Sequence, residues 1–495
     1  MRRDGLGGKL GPAVLGLSLG FRLASARADL PASGELIRTH DYAIDLAQTP
    51  VLSSTRVTGL AGAFVGMGEG LDGAAQNPAA PAYRFPWSRG HFDYELGFSF
   101  MSSASVSNTD FFNSGKHVRG DEEFLFLDLA LALQFGRWGF AFSTGLQQYT
   151  LGRGTDTDSA ERLVAQFALS HALAAYAFAD GQLLIGAGQR SSVLSVGNEN
   201  DIDNDEQVLF QALGAGYEAG LLIRPNEQPY RIGAAIRSAV DAKPSTKSKV
   251  AVLYEDDPDN ALYLPNRVVV PWNVSVGFAM QLGPRPLNPR FLDPNRVTEE
   301  LDRYLQYRAR ERARKRAIAE RRALAAKRDP SAELRALDAE LATESALDAL
   351  HRIRAKKELD RELEQRYLSL ARFHVLISAS LEVLGPVDDA VGVASFIDRR
   401  VQRSGRHASY SPRLGVETEP IAHWLRVRAG SYLEPTRFDD NPHGSRLHGT
   451  FGFDQRVLAW DVFGLFPEGS IFRAAGSLDL ARDYFGWGVA LGLWH

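Results

Sequence analysis

The chain is organised by alternation. From Phe92 to Phe100, the large apolar residues Phe92, Tyr94, Leu96, Phe98 and Phe100 alternate with Asp93, Glu95, Gly97 and Ser99, as expected of a strand with one apolar face. Leu125, Leu127, Leu129, Leu131 and Leu133 repeat the pattern against Phe126, Asp128, Ala130, Ala132 and Gln134. Trp272, Val274, Val276, Phe278, Met280 and Leu282 do so against Asn273, Ser275, Gly277, Ala279 and Gln281. Phe373, Val375, Ile377, Ala379, Leu381 and Val383 oppose His374, Ser378, Ser380 and Glu382; Phe485, Trp487, Val489, Leu491 and Leu493 oppose Gly486, Gly488, Ala490 and Gly492.

About fourteen such segments are predicted, near 91–101, 122–134, 138–149, 163–178, 182–195, 206–223, 230–241, 268–283, 371–385, 409–419, 422–433, 445–454, 457–465 and 483–494. Segments of roughly ten alternating residues are the signature of a membrane β-barrel. A helical membrane protein would instead repeat apolar runs of about 18 residues or more. Here only Leu163 to Ala179 approaches that, and it holds Gln166, Ser170 and His171. A water-soluble sandwich would alternate too, but its exposed face would be more densely charged than these Gly, Ala and Ser faces.

The connections alternate in length. Gly136-Arg137, Ala179-Asp180-Gly181, Asn226-Glu227-Gln228-Pro229 and the links near Ile421 and Gln455 read as tight; those around 102–121, 150–162, 196–205, 242–267, 386–408 and 434–444 are long. Bacterial barrels have short periplasmic turns and longer outer loops, so the first strand is expected to start at the periplasm and the last to close against it. The fold class is therefore all-β: a transmembrane antiparallel β-barrel of about 14 strands.

One segment breaks the pattern. Residues 296–368 carry 19 basic and 15 acidic residues in 73 positions. Leu301, Leu305, Leu334, Leu337, Leu341, Leu347, Leu350, Leu359 and Leu363 recur at three-to-four spacing, with a break near Asp329-Pro330. This predicts a charged, coiled-coil-like helical hairpin inserted between strands eight and nine, on the periplasmic side. Its first half, 296–329, holds 12 basic and 6 acidic residues. That excess would draw anionic lipid, peptidoglycan or a periplasmic protein partner, although a solvated helical pair has the same composition.

The N-terminus reads as an export leader. Met1-Arg2-Arg3, the stretch Leu10 to Phe21 and Ala24-Ser25-Ala26-Arg27-Ala28 supply basic, apolar and cleavage regions in order, so a signal peptide at 1–28, cut after Ala28, is expected. The chain of 495 residues has no cysteine, which rules out disulfides and Cys-ligated metal. With 56 basic against 60 acidic residues there is no general basic field for nucleic acid.

Thr55-Arg56-Val57-Thr58-Gly59-Leu60-Ala61-Gly62-Ala63-Phe64-Val65-Gly66, then Asp72 and Ala75-Gln76-Asn77-Pro78-Ala79, resembles the N-terminal signature of FadL-type outer-membrane transporters. The resemblance implies an N-terminal hatch over 29–90 marked by Gly59, Gly62, Asn77, Pro78 and Ala79, inside a barrel split as 91–283 and 371–495 around the insert at 284–370. It also implies passive passage of hydrophobic molecules such as long-chain fatty acids or aromatic hydrocarbons through a Gram-negative outer membrane, in contact with its lipid and lipopolysaccharide. The insert departs from the family's usual pattern. Similarity extends to PorV-type barrels, which act in secretion or assembly, and there the insert would be the working surface. On residues alone, the glycines allow close packing or positive φ and Pro78 fixes a turn, which suits a compact plug. The inward charges Asp93, Glu95, Asp128, Glu218, Arg231, Arg237, Glu382, Arg413, Glu417, Arg426, Arg428 and Arg446 are expected to pair across the lumen and with that plug.

Other motifs carry no chemistry. Gly16-Leu17-Ser18-Leu19-Gly20 lies in the leader without a strand-to-helix setting, and Gly66-Met67-Gly68-Glu69-Gly70 is a fragment of a dinucleotide fingerprint. Asp201, Asp203 and Asp205 imitate a calcium loop, with Glu206 where Gly is needed and Ala212 where Glu is needed. No catalytic residue, metal site or cofactor is expected, the chain is not expected to be an enzyme, and no ligand-binding residue is assigned.

Overall fold

The computed structural model describes residues 30–88, 90–102, 109–116, 123–151, 163–198, 208–245, 250–252, 261–291, 294–325, 331–459 and 471–493. The leader expected at 1–28 and the segment Asp201–Asp205 lie outside the described residues. Two short helices, α1 (Thr55–Gly59) and α2 (Gly70–Ala74), precede the first long strand. The long strands are β1 (Phe92–Ser102), β2 (Glu123–Phe135), β3 (Trp138–Leu151), β4 (Leu163–Phe178), β5 (Leu183–Asn198), β6 (Val208–Ile223), β7 (Tyr230–Arg237) and β8 (Asn273–Leu282). After the helices α3 (Pro294–Ala325) and α4 (Ser331–Ser369) come β9 (Val375–Leu384), β10 (Ser409–Ile421), β11 (Leu425–Glu434), β12 (Arg446–Ala459), β13 (Ile471–Ala481) and β14 (Tyr484–Leu493).

Each strand pairs antiparallel with its neighbour in sequence, and β14 returns to β1, so the fourteen strands close on themselves. Closure satisfies the strand edges that hydrocarbon could not. The alternating faces separate as their sequence requires. Phe92, Leu96, Phe98, Leu129, Phe278 and Val489 are exposed on the outer wall, while Ser99, Gln134, His171, Arg231 and Ser378 are buried inside. Phe92 and Phe135, Trp138 and Tyr176, and Tyr176 and Phe178 form aromatic pairs at the short-turn end, the position of an interfacial girdle.

The strand expected at 457–465 is instead the end of β12 followed by residues outside those described; the thirteenth strand is Ile471–Ala481. A bulge between Arg456 and Ala459 prolongs β12. β13 is set by its inward charges: Arg473 reaches Asp454 at 2.8 Å, and Asp479 takes the Tyr432 hydroxyl at 2.8 Å and pairs with His448 at 2.7 Å. In consequence the tight link expected near Gln455 does not form, and Arg482-Asp483 makes a tight turn at the long-connection end.

That end is filled. Ala43–Asp45 runs parallel to Arg267–Val270 and to Ala390–Val391, and these pair with Val240–Ala242 and Arg403–Ser404 into a small sheet. With Leu30 and Ile37, it packs on the inward faces of the upper wall through Phe124, Phe126, Phe167, Phe210 and Phe396. At the opposite end α3 and α4 form an antiparallel pair held by Arg312–Asp348 at 2.5 Å, Arg316–Asp338 at 2.8 Å and Arg352–Asp302 at 3.0 Å. No helix is long and apolar enough to cross a membrane among the described residues.

Leu282 pairs directly with Val375, so the barrel needs no helical insert to bring β8 and β9 together. Replacing 294–369 with a short turn is expected to leave a barrel that still migrates as folded in unheated gels, with a melting temperature within a few degrees of the full chain.

Candidate functional site

Residues 51–88 thread the lumen, and their small residues decide how closely. Gly59 lies against Gly452 of β12, where a Cβ would stand 2.9 Å from the Gly452 Cα. Gly62 has φ +72°, and its missing Cβ leaves room for the Arg413 guanidinium. Between and beyond them, Val57, Leu60, Phe64 and Met67 pack with Leu287, Leu376 and Tyr432 as one apolar cluster.

Asn77 is fully buried and ties the segment together. Its Nδ2 donates to the Val65 carbonyl within the plug and to the Leu221 carbonyl of β6, both at 3.0 Å. Its Oδ1 accepts the Ala79 amide at 3.0 Å, and Pro78 between them fixes the turn and lies against Gly220 and Gly186 of the wall. Ala79 is buried against the same wall with Ala175, Ala177, Leu184 and Leu222. A larger residue at any of these points would push plug and wall apart.

The charges match as tightly. Arg56 bridges Glu69 at 2.9 Å and Glu417 at 2.9 Å. Arg428 joins Glu417 at 2.5 Å to Asp454 at 2.6 Å. Arg231 of β7 reaches Glu69 at 2.7 Å and donates to the Met67 and Leu287 carbonyls. Arg84 pairs with Asp93 at 2.5 Å, Arg237 with Glu218 at 3.1 Å, Arg426 with Glu419 at 3.3 Å, and Arg413 and Arg446 with Glu382 and Glu434. Glu95 accepts the Leu71 amide of α2 at 3.0 Å. Of the twelve inward charges expected to find partners, Asp128 makes no ion pair or hydrogen bond among the described residues. Burial raises the Glu69 carboxyl, but Arg231 and then Arg56 outweigh it and hold its pKa at about 2.

Three of the cavities follow one another through shared lining residues. At the long-connection end a void of about 30 Å³ lies among Phe111, Tyr149, Phe167 and Phe438. It shares Leu46, Pro50, Leu52 and Gln147 with a polar pocket of about 120 Å³ lined by His171, Arg190, Glu382 and Arg413. That pocket shares Asp128 with a third cavity of about 710 Å³. Leu71, Phe85 and Trp87 of the plug line the third cavity, with Tyr367 and Leu370 from the base of the hairpin. No continuous apolar groove joins the three among the described residues, because ion pairs occupy the middle.

The large cavity reaches the wall. Residues from both faces of β1, Phe92 through Ser99, line it together with Leu491, Gly492 and Leu493 of β14. β1 pairs with β2 along its whole length, from Phe92↔Phe135 to Ser102↔Leu125. Its ladder with β14 runs only from Phe98↔Leu491 to Ser102↔Trp487. Below Phe98 no further pair forms between the described residues of the two strands, and the cavity lies along that seam. Alternation gave Asp93, Glu95 and His374 inward positions but carried no sign of the seam, which depends on pairing between the two ends of the chain. Phe85-Pro86-Trp87, just before the first strand, is the local signal that could have marked the cavity.

These features define a class: a plugged transmembrane β-barrel of the outer-membrane type. No family model and no curated protein matches the chain. Among solved structures it is similar to the CymD monoaromatic hydrocarbon channel, at 9% identity over 89% of this chain and 96% of that one, with a TM-score of 0.43. It is also similar to the Pseudomonas putida toluene transporter TodX, at 11% identity over 90% and 98%, with a TM-score of 0.44. CdiB from Acinetobacter baumannii follows at 8% identity, 81% and 60% coverage and a TM-score of 0.33.

Two outcomes are expected. Asn77→Ala removes three buried hydrogen bonds and leaves their partners unsatisfied, a loss of about 2–4 kcal/mol; urea unfolding in vesicles and proteolysis of the plug should register it. Glu69 is more acidic folded than unfolded, so its contribution, roughly 3 kcal/mol, is complete above about pH 4.5 and is lost as pH falls toward 2. The urea midpoint of the wild type should therefore fall more steeply from pH 5 to pH 3 than that of Glu69→Gln.

Proposed function

We propose that the barrel passes small hydrophobic molecules, long-chain fatty acids or aromatic hydrocarbons, across the outer membrane without an energy source. The observation that carries this reading is the cavity of about 710 Å³ that runs along the β1–β14 seam, lined by residues from both faces of β1. Its size lies within the range of small-molecule sites, and aromatic and aliphatic side chains of Leu71, Phe85, Trp87, Leu96 and Leu491 share its walls with ion-paired charges such as Arg56, Glu69 and Glu417. A solute leaving by the seam goes from protein into hydrocarbon and never meets water, which suits a molecule whose transfer to water is unfavourable. The series of voids past Asp128 provides the approach from the outer loops, and residues 29–90 act as the hatch that narrows it. Membrane lipid and lipopolysaccharide surround the wall, and a leader at 1–28 directs export.

One observation favours a second reading. The middle of the lumen is filled by ion pairs that tie the plug to the wall, as befits a static scaffold. In that case the barrel serves secretion or assembly, with 296–368 receiving a periplasmic protein.

The absence of native cysteine makes the seam testable. Leu96 and Leu493 occupy the positions where the β1–β14 ladder would continue. With Leu96→Cys and Leu493→Cys together, oxidation is expected to stop uptake of a labelled fatty acid or toluene by proteoliposomes, and reduction to restore it. Uptake unchanged by the cross-link contradicts lateral passage; no uptake by the folded wild type favours the scaffold.

A further inference from the structure

Arg372 lies between α4 and β9, at the floor of the large cavity. Phe373 points to lipid at 60% exposure, so alternation turns Arg372 and His374 inward, and Arg372 is 8% exposed. Its guanidinium stacks on the Tyr367 ring with 4.8 Å between the guanidinium carbon and the ring centroid. Among the described residues neither its Nε nor its Nη1 has a hydrogen-bond partner. The other arginines on the cavity have carboxylate partners: Arg56 pairs with Glu417 and Glu69, Arg285 and Arg426 with Glu419, and Arg473 with Asp454 through Nη1. A guanidinium offers five donors in a planar fork, and burying a cation without an anion is costly. The short turn nearby registers this charge: the His423 imidazole is pushed below its usual value by burial and then by Arg372.

We infer that Arg372 is a head-group site, at the periplasmic floor of the cavity, for amphiphiles with one carboxylate or phosphate and an apolar body. The fork matches either oxyanion in a bidentate pair. The body of such a molecule extends toward Leu71, Phe85 and Trp87 or out through the seam. Because Tyr367 belongs to α4, the base of the hairpin holds the cation in place, which gives the insert a role in ligand selection. This deepens the proposed function and rests on reading the cavity as a hydrophobic-solute site.

The test is equilibrium binding of labelled dodecanoate, dodecyl phosphate and dodecanol to the full-length barrel in nanodiscs, wild type against Arg372→Met and Arg372→Lys. Folding is checked by heat-dependent gel migration. Arg372→Met is expected to weaken both anions at least tenfold, the scale of a lost hydrogen bond to a charged group, and to leave dodecanol unchanged. Arg372→Lys should retain part of the anion binding. Without ligand, Arg372→Met is expected to melt higher than the wild type, since it removes an unpaired buried charge; a purely structural arginine would give the reverse. Equal binding of anions by wild type and Arg372→Met, or equal loss of all three probes, overturns the head-group site while leaving the cavity's general role standing. If dodecanol and both anions fail to bind the wild type, the proposed function falls and this site with it. Carboxylate and phosphate are separated by which anion binds the wild type more tightly.

Discussion

The barrel wall carries arginines and carboxylates into a lumen enclosed by lipid; many pair along the wall, and the plug supplies partners for Glu417, Arg231 and Asp93. Glu417 stands between Arg56 of the plug and Arg428 of the wall, and Glu69 of the plug between Arg56 and Arg231. Removing one member would leave the next charge buried and unpaired, a much larger loss than the pair's own net contribution. Plug and wall therefore hold each other in register. The long-connection half is closed by apolar packing and the middle by ion pairs, and the large cavity lies below Asp128 with the paired Arg56, Arg426 and Arg473 on its walls.

The same geometry brings that volume to the β1–β14 seam. β1 begins only a few residues after the plug, and its lower half is committed inward to it: Glu95 holds the Leu71 amide, and Leu71 packs at Gly97. The β1–β14 ladder ends at Phe98↔Leu491, just above these contacts. A void beside a plug, an interrupted ladder and a floor supplied by α4 thus coincide. The helical insert belongs to the cavity through Tyr367 and Leu370, although most of its length lies beyond the barrel.

How much of this was legible in the sequence follows from the range of each interaction. Period-two alternation is local, so the strands from Phe92 to Arg237 and the helical break before β9 could be read directly, as could the inward placement of Glu218, Arg231 and Arg428. β13 was misplaced because 457–465 is apolar apart from Asp461 and Gly464, while Ile471–Ala481 owes its position to Arg473 and Asp479 meeting partners on other strands. The Gly59 to Ala79 stretch could be read as a compact plug from its glycines and Pro78, but not which wall residue Asn77 would hold. The seam and the burial of Arg372 without an anion among the described residues arise from contacts between distant parts of the chain, which single-sequence periodicity does not reach.

The central claim is that hydrophobic solute occupies the lower cavity and exchanges with lipid between β1 and β14. The most direct test is photolabelling of the full-length barrel in lipid vesicles with an aliphatic diazirine, with the labelled residues identified by mass spectrometry. Labelling is expected at Leu71, Phe85 and Trp87 inside together with Leu96 and Leu491 at the seam, competed by excess unlabelled solute. Labelling confined to outward residues around the whole wall, unaffected by competitor, would contradict it.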